Sequence, residues 1–408
     1  MKGVLVIFDG LGDLPNSLLN NQTPLEAADT PNLDFLANRG EIGYMYSITP
    51  GSIPDTDDAF VSMFGNDIGM SSRGQLEAAG VGIDVKRGDL AFRTNFATID
   101  SIKKGNILDR RAGRTLTTKE AQVLAKEINK IKLPCKFVFQ PTIQHRGVLV
   151  FRGGFSDDII GNDIVRNVKA SQDIFARATE EDENTQYTVN VVNEFLEKVY
   201  DILSNHPLNK KRMEIGLMPA NYLLIRGGGI EIPKLKSYHK WVSAAYVPVI
   251  KGFSKLSNMK VVSFKYPKMK KLDVYLNLHK GLNKACKVAI KAIKRNHKKF
   301  DYALVHIKET DMPGHDNKPL EKKSIIEHVD KTLFNFLRKF APSKKIRVAV
   351  TGDHSTPCGL KGHSADPVPV TLYNNSIPRA KKFCEREMRK GKLGRILGKD
   401  LLERIKFT

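Results

Sequence analysis

The stretch KKIRVAVTGDHSTPCGLKGHSADPVPV, residues 344–370, decides how the rest of the chain is read. Its apolar, β-branched core "IRVAV" reads as a short buried strand. The strand runs straight into Asp353 and His354, and His363 follows in the same Gly- and Pro-broken loop. Asp and Gly are ordinary turn residues, so a solvated turn explains each residue alone. Metal ligation explains them together, provided that other strands deliver partners to the same edge.

Two other strands do so. "GVLVIF" (3–8) ends at Asp9, and "YALVHI" (302–307) leads into "KETDMPGHD", which carries Asp311 and His315. In open parallel sheets ligands collect beyond the carboxyl ends of the strands. Taken singly, His315 reads as a surface or capping histidine and Asp9 as a turn residue. Recurrence at one edge makes a dinuclear metal site the expectation. A mixture of carboxylate and imidazole suits Mn²⁺ or Zn²⁺ better than Ca²⁺. Pro313 and Gly314 argue against a regular helix at 311–315.

The surrounding pattern is α/β. In the N-terminal part the strand at 3–8 is followed by a helical pattern at 23–40 that ends at Gly40, a strand at 42–48, a short helix at 57–65 and a strand at 90–99. The C-terminal part alternates strands at 259–264, 302–307 and 347–350 with helices at 277–299 and 320–341. Strands separated by helices imply βαβ units and a mostly parallel sheet with helices on both faces. Between these parts the alternation loosens. We expect a discontinuous outer domain, 1–109 with 246–408, and a smaller inserted α/β domain at 110–245.

Composition narrows the function. A chain of 408 residues with 41% apolar content is long enough for two cores. No run of about 18 uncharged apolar residues occurs, so no membrane span is expected. The first apolar run, residues 4–8, meets Asp9 at once and is too short for a signal peptide. The four cysteines show no Cys-x-x-Cys spacing, which argues against a disulfide framework or thiolate zinc and for a reducing cytoplasm. The formal charge of +22 is spread along the chain, densest at 251–299 and 379–395. Such a field steers polyanions and phosphorylated small molecules alike. No nucleic-acid reader motif accompanies it, and lysines flank apolar strands as solvated strand ends do. A basic nucleic-acid-binding protein therefore ranks below a small-molecule enzyme.

The segments "FDGLGD", "TPLEAADTPNLDFLANRG", "RGQLEAAGVGID", "LAFRTNFATID", "DRRAGR", "GLMPANYLLIRGGG", "ETDMPGHD" and "TGDHSTPCGLKGHSADPVPV" together resemble the archaeal-type cofactor-independent phosphoglycerate mutases of the alkaline phosphatase superfamily. The resemblance runs from Met1 to about Tyr373. It implies an alkaline-phosphatase-like sheet and interconversion of 3-phosphoglycerate and 2-phosphoglycerate in glycolysis and gluconeogenesis. It implies two divalent ions, Mn²⁺ first and Zn²⁺, Co²⁺ or Mg²⁺ as alternatives, and no 2,3-bisphosphoglycerate. Carried over by position, it assigns one ion to Asp311, His315 and His363. The other goes to Asp9, Thr56, Asp353 and His354. A homo-oligomer is compatible with the sequence.

The nucleophile segment departs from the family. Where the family reads Gly-Ser-Asp-Thr-Ala-His, "DTDDAF" (55–60) puts Thr56 at the Ser position, Asp55 at Gly, Asp58 at Thr and Phe60 at His. A threonine alkoxide generated beside a metal is chemically adequate. Thr56 also suits an N-cap of the following helix, and a helix N-terminus is a good place for a phosphoryl group. The departure keeps a metal-dependent phosphohydrolase or phosphodiesterase of the same superfamily as the alternative. Lys251 resembles a family position near the nucleophile.

Substrate recognition should fall to arginines, whose guanidinium matches carboxylate and phosphate bidentately. Arg110, Arg111 and Arg114 in "DRRAGR", Arg146 in "QHRGVLVF" and Arg226 in "NYLLIRGGG" are the candidates, with His145 as a hydrogen-bond partner. Asp109 is a candidate proton relay.

Overall fold

The computed structural model describes residues 1–163, 174–268, 273–376 and 382–407, and it divides into two compact units. The first comprises Met1–Ile68, Leu235–Pro267 and Tyr275–Thr408; the second comprises Gly69–Lys234 and Lys268–Val274.

The first unit is built on an eight-stranded sheet. Its strands lie in the order Lys260–Val262, Trp241–Ala244, Tyr302–Ile307, Gly3–Phe8, Arg347–Gly352, Val368–Tyr373, Gly40–Tyr46 and Gly394–Leu397. All neighbours pair parallel except Val368–Tyr373, which is antiparallel to both partners. The central strands are continuous apolar runs because both faces are covered; Val4 to Phe8 are wholly buried. Each such side chain contributes roughly 1.5–3 kcal/mol on leaving water. Leu282, Ile293, Ile326 and Leu337, from the helices Val274–Asn296, Pro319–Val329 and Asn335–Lys344, join them in one core. Register sets which residues meet at the sheet's carboxyl edge. Phe8 lies opposite Ile307 on one side and Gly352 on the other, so Asp9, Lys308 and Asp353 leave the sheet at one level.

Two local expectations need correction. The 23–40 helix is two helices, Pro24–Ala27 and Pro31–Asn38. Pro31 cannot continue the first helix but suits the first turn of the second, and Gly40 begins a strand rather than ending a helix. Residues Asp311–His315 do form one helical turn despite Pro313 and Gly314. Pro313 sits in the first turn, where its missing N–H has no intrahelical partner to lose. The basic C-terminal stretch, unassigned from sequence, supplies the edge strand Gly394–Leu397; its residues 377–381 lie outside the described residues.

The second unit carries a separate antiparallel sheet. Leu90–Ile99 is its central strand, paired with Arg146–Phe151 on one side and Tyr222–Gly229 on the other. Ile107–Asp109 pairs with its end, and Phe137–Pro141 pairs with Arg146–Phe151. Leu124 and Phe195, from the helices Thr118–Ile128 and Glu183–Ser204, pack on this sheet. The boundaries expected at 109/110 and 245/246 therefore move to 68/69 and 234/235. The reason is strand pairing: among the described residues, Leu90–Ile99 pairs only with strands of the second unit.

A capping box starts the Pro24–Ala27 helix, Thr23 Oγ1 accepting from the Glu26 N–H at 3.0 Å and Glu26 Oε2 from the Thr23 N–H at 3.1 Å. The Thr23 hydroxyl donates in turn to Glu385 Oε2 at 2.7 Å. Burial pushes the Glu385 carboxyl from 4.5 up to about 7, outweighing that hydrogen bond. Between those values the folded chain keeps a proton that the unfolded chain has released, so stability falls as pH rises through the window. Glu385→Gln is expected to flatten this slope and to gain on the parent at pH 8 relative to pH 5 in urea unfolding. Equal pH dependence in both proteins would refute the assignment.

Candidate metal centre and guanidinium cluster

At the carboxyl edge of the first unit's sheet, Asp9, Asp311, Asp353 and His354 are buried. Gly10, at φ +64°, turns the chain directly after Asp9, where a Cβ would meet Thr356 Oγ1 at 2.4 Å. Its N–H donates to Asp353 Oδ1 at 2.9 Å, and the Thr310 hydroxyl donates to the Asp9 carbonyl. The loops after the three strands are thus tied to one another.

Three groups of ligand atoms converge: Asp311, His315 and His363; Asp9, His306 and Asp353; Asp9, Asp311 and His354. Within each, the atoms lie within 4.8 Å of one another. His315 Nε2 is 3.3 Å and His363 Nε2 3.6 Å from Asp311 Oδ1. His354 Nε2 is 3.4 Å from Asp9 Oδ1, and His306 Nε2 is 3.4 Å from Asp9 Oδ2. The rings of His354 and His363 stack at 3.8 Å.

The far ring nitrogens are already engaged. His315 Nδ1 meets the Lys361 carbonyl at 3.1 Å, His363 Nδ1 the Pro54 carbonyl at 2.9 Å, and His354 Nδ1 the Thr356 hydroxyl at 3.1 Å. That hydroxyl donates to Asp311 Oδ1 at 3.0 Å, which leaves its oxygen to accept from His354 Nδ1–H. A carbonyl accepts only, so the same tautomer follows for neutral His315 and His363. In that neutral form each Nε2 lone pair faces the carboxylates, as in histidines that ligate metals, and His363 would have to release its Nε2 proton as a cation binds.

The charges agree. Burial disfavours the Asp353 carboxylate and Asp9 repels it, so its pKa stands well above the usual range. Burial opposes ionisation of Asp9 and Asp311 as well, but Lys308 and the neighbouring imidazoles hold both far below it. His354 falls to about 4 through burial and the nearby His363. His363 is also opposed by burial, yet hydrogen bonds and attraction to Asp311 and Asp55 lift it to about 10. Asp9 Oδ1 and Oδ2, Asp353 Oδ2, His354 Nε2 and both nitrogens of His306 are buried without a hydrogen-bond partner among the described residues. Buried polar atoms are normally satisfied. Convergent, unsatisfied acceptors of this kind fit divalent cations.

Thr56 is buried and is the first residue of the helix Thr56–Met63. It is not the N-cap; Asp55 holds that position. His363 meets the Pro54 carbonyl and Asp55 Oδ1, the latter at 3.3 Å, which fixes the approach to Thr56. Phe60, on the same helix, packs edge-on against His306 at 5.3 Å and against Phe253 of the helix Pro248–Leu256. Lys251 lies on that second helix; burial, then Lys255, lowers its pKa. Beneath the centre, Lys322 is wholly buried and donates to Asp13 Oδ2 at 2.8 Å and to the carbonyls of Gly12 and Thr356.

The second unit gathers the arginines. Asp163, 5% exposed, accepts from the Arg110 guanidinium through Nε and Nη2 and from Asn95 Nδ2, and it pairs with Arg226 Nε at 3.7 Å. Around His145 the charged neighbours are Arg146, Arg111 and Arg114; burial and those cations hold its pKa well below 6.5. The imidazole is therefore neutral and adds no further positive charge to the three guanidinium groups. Asp109 Oδ1 accepts from the N–H groups of Arg111 and Gly113 at 2.7 and 2.9 Å, so it anchors this turn.

Sequence reading passed over His306, Lys308, Asp163 and Arg93. His306 was absorbed into an apolar strand, although an imidazole in a fully buried run is itself a signal. Arg93 is likewise inside a strand, 7% exposed, and reaches Glu77 at 3.6 Å.

The fold and site define an α/β protein with a candidate binuclear cation centre at the carboxyl edge of a mostly parallel sheet. Residues 37–209 match the family model described as 2,3-bisphosphoglycerate-independent phosphoglycerate mutase. Proteins of that name from Thermococcus kodakarensis and Pyrococcus furiosus are 39% and 38% identical, each over 98% of this chain and 95% of the relative. The solved structure of a cofactor-independent phosphoglycerate mutase from Thermoplasma acidophilum aligns with TM-score 0.59 at 31% identity, covering 100% of this chain and 99% of the other. A Pyrococcus horikoshii protein structure aligns with TM-score 0.76 at 30% identity, covering 100% and 98%. The chain belongs to the 2,3-bisphosphoglycerate-independent phosphoglycerate mutase family, a family of isomerases. Among the described residues, no helix is long and apolar enough to cross a membrane.

Proposed function

We propose that this chain interconverts 3-phosphoglycerate and 2-phosphoglycerate through a phosphothreonine at Thr56, as a cytoplasmic step of glycolysis and gluconeogenesis. The observation that carries this reading is the convergence of Asp9, Asp311, His315, Asp353, His354 and His363 at one strand-end edge, with Asp55 and Pro54 tying Thr56 to His363. Two divalent ions, Mn²⁺ first among candidates, would neutralise the phosphate and acidify the Thr56 hydroxyl. Asp311, His315 and His363 would hold one, and Asp9, Thr56, Asp353 and His354 the other.

Thr56 Oγ1 gives up its hydroxyl proton and attacks phosphorus in line. A P–O bond to threonine forms as the bond to the glycerate oxygen breaks, and that oxygen takes up a proton. The other glycerate hydroxyl then gives up its proton and attacks the phosphothreonine, which returns Thr56 to its starting state. No water is consumed. Charge neutralisation and alignment do the work in both halves. The guanidinium groups of Arg110, Arg111 and Arg226, with Arg114, Arg146 and His145, have the chemistry to recognise carboxylate and phosphate. Lys251 is a candidate to favour the Thr56 alkoxide and Asp109 to move protons at the glycerate hydroxyls.

The test is purified chain with Mn²⁺ and 3-phosphoglycerate, coupled to enolase, without 2,3-bisphosphoglycerate. Product is expected, and EDTA should lower the rate by at least about 10³-fold. Release of inorganic phosphate without 2-phosphoglycerate would move the assignment to the hydrolase reading.

A further inference from the structure

Lys308 directly follows the Tyr302–Ile307 strand, and its backbone N–H is held by the Tyr246 hydroxyl at 2.9 Å. Its side chain runs to the two carboxylates that belong to different cations in the proposed centre. Lys308 Nζ donates to Asp311 Oδ2 at 2.7 Å and lies 2.9 Å from Asp9 Oδ2. The first contact is a hydrogen bond. The second is an ion pair without hydrogen-bond geometry, since Asp9 Oδ2 keeps no hydrogen-bond partner.

We propose that Lys308 is a resident counter-ion of this centre: its ammonium bridges Asp9 and Asp311 when no divalent cation is bound, and a cation enters by displacing it. The inference rests on the reading of the site as a cation centre.

Two physical arguments support displacement over coexistence. The ammonium sits on Oδ2 of both Asp9 and Asp311, the same carboxylates whose Oδ1 atoms face His354, His315 and His363, and two positive centres on one carboxylate repel at short range. The side chain can also leave. It is 22% exposed, whereas Asp9 is 1% exposed, and four methylenes let the ammonium swing to water while the backbone stays fixed. The cation-free state gains in return. Two buried carboxylates would otherwise face each other with only the imidazoles to offset their charge, a costly arrangement. The bridge thus protects the empty centre and weakens the affinity of the filled one.

The experiment compares the parent chain with Lys308→Met and Lys308→Gln, each stripped with EDTA and then titrated with Mn²⁺, followed by calorimetry and by the electron paramagnetic resonance of free Mn²⁺. Both variants are expected to bind Mn²⁺ at least tenfold more tightly. Stripped, both should unfold at lower urea concentration than the parent, and saturating Mn²⁺ should close that gap. The Gln variant can still donate a hydrogen bond to Asp311, so it separates charge from contact and serves if the Met variant does not fold. Unchanged or weaker Mn²⁺ binding in the variants, with normal binding by the parent, overturns the role of Lys308 and leaves the cation centre standing. Absence of Mn²⁺ binding in the parent overturns both.

Discussion

Thr56→Ala is expected to lower mutase turnover by at least about 10³-fold, because no other atom can take the phosphoryl group in the proposed scheme. The fold should persist. Alanine is the best helix former, and Thr56 sits at the first helical position, where Asp55 rather than Thr56 occupies the cap. Mn²⁺ binding should weaken at most at one ion, since Asp311, His315 and His363 form a group without Thr56. Thr56→Ser should stay within about tenfold of the parent, because serine keeps the hydroxyl and loses only a methyl group. Acid quench during turnover followed by mass spectrometry should find phosphate on Thr56 in the parent and none in Thr56→Ala. A Thr56→Ala protein that turns over at the parent rate would sink the covalent scheme while leaving the fold and family untouched.

Lys322→Met should carry the largest cost in stability. Lys322 is 0% exposed and Asp13 has a side chain 1% exposed, and their atoms meet at 2.8 Å. The ammonium also satisfies the carbonyls of Gly12 and Thr356, and Asp13 Oδ1 accepts the Cys358 N–H at 3.0 Å. The pair therefore joins the loop after Asp9 to the loop after His354. Removing one partner strands a buried charge and should cost about 3–5 kcal/mol. Trp241 is the one tryptophan in the chain and lies in the first unit's sheet, so urea unfolding followed by its fluorescence reports this unit directly. Asp13→Asn with Lys322→Met removes both charges and should cost less than the sum of the single changes. Strict additivity would show that the pair is not coupled.

The parallel sheet was legible in the sequence because its strands are buried on both faces and so read as unbroken apolar runs, as in "GVLVIF" and "YALVHI". The convergent acids and imidazoles were legible because Asp9 follows an apolar run directly and Asp311, His315, Asp353, His354 and His363 lie in the segments just beyond such runs. Where single positions compete with tertiary contacts, local pattern does not decide the outcome. Pro313 looked like a helix breaker, but position within a turn decides what proline does. Leu90–Ile99 looked like another outer strand, and nothing local reveals which strands will become its neighbours. Its ten residues are all buried, as those of Gly3–Phe8 and Tyr302–Ile307 are.

Lys308 and Asp163 show the same limit in the site. Both carry charges beside recognisable motifs, and a charge in a loop is ordinarily solvated. Only when the chain closes does Lys308 reach carboxylates hundreds of positions apart in sequence, or Asp163 collect Arg110 and Arg226. By itself, the order of residues determined the element types, the strand-end acids and imidazoles and the family, since these depend on short-range pattern and residue chemistry. Tertiary structure alone decided which unit each strand joins, which imidazole nitrogen faces the carboxylates, and which cation sits between them. Those outcomes depend on register and burial, and both are set by contacts between segments far apart along the chain.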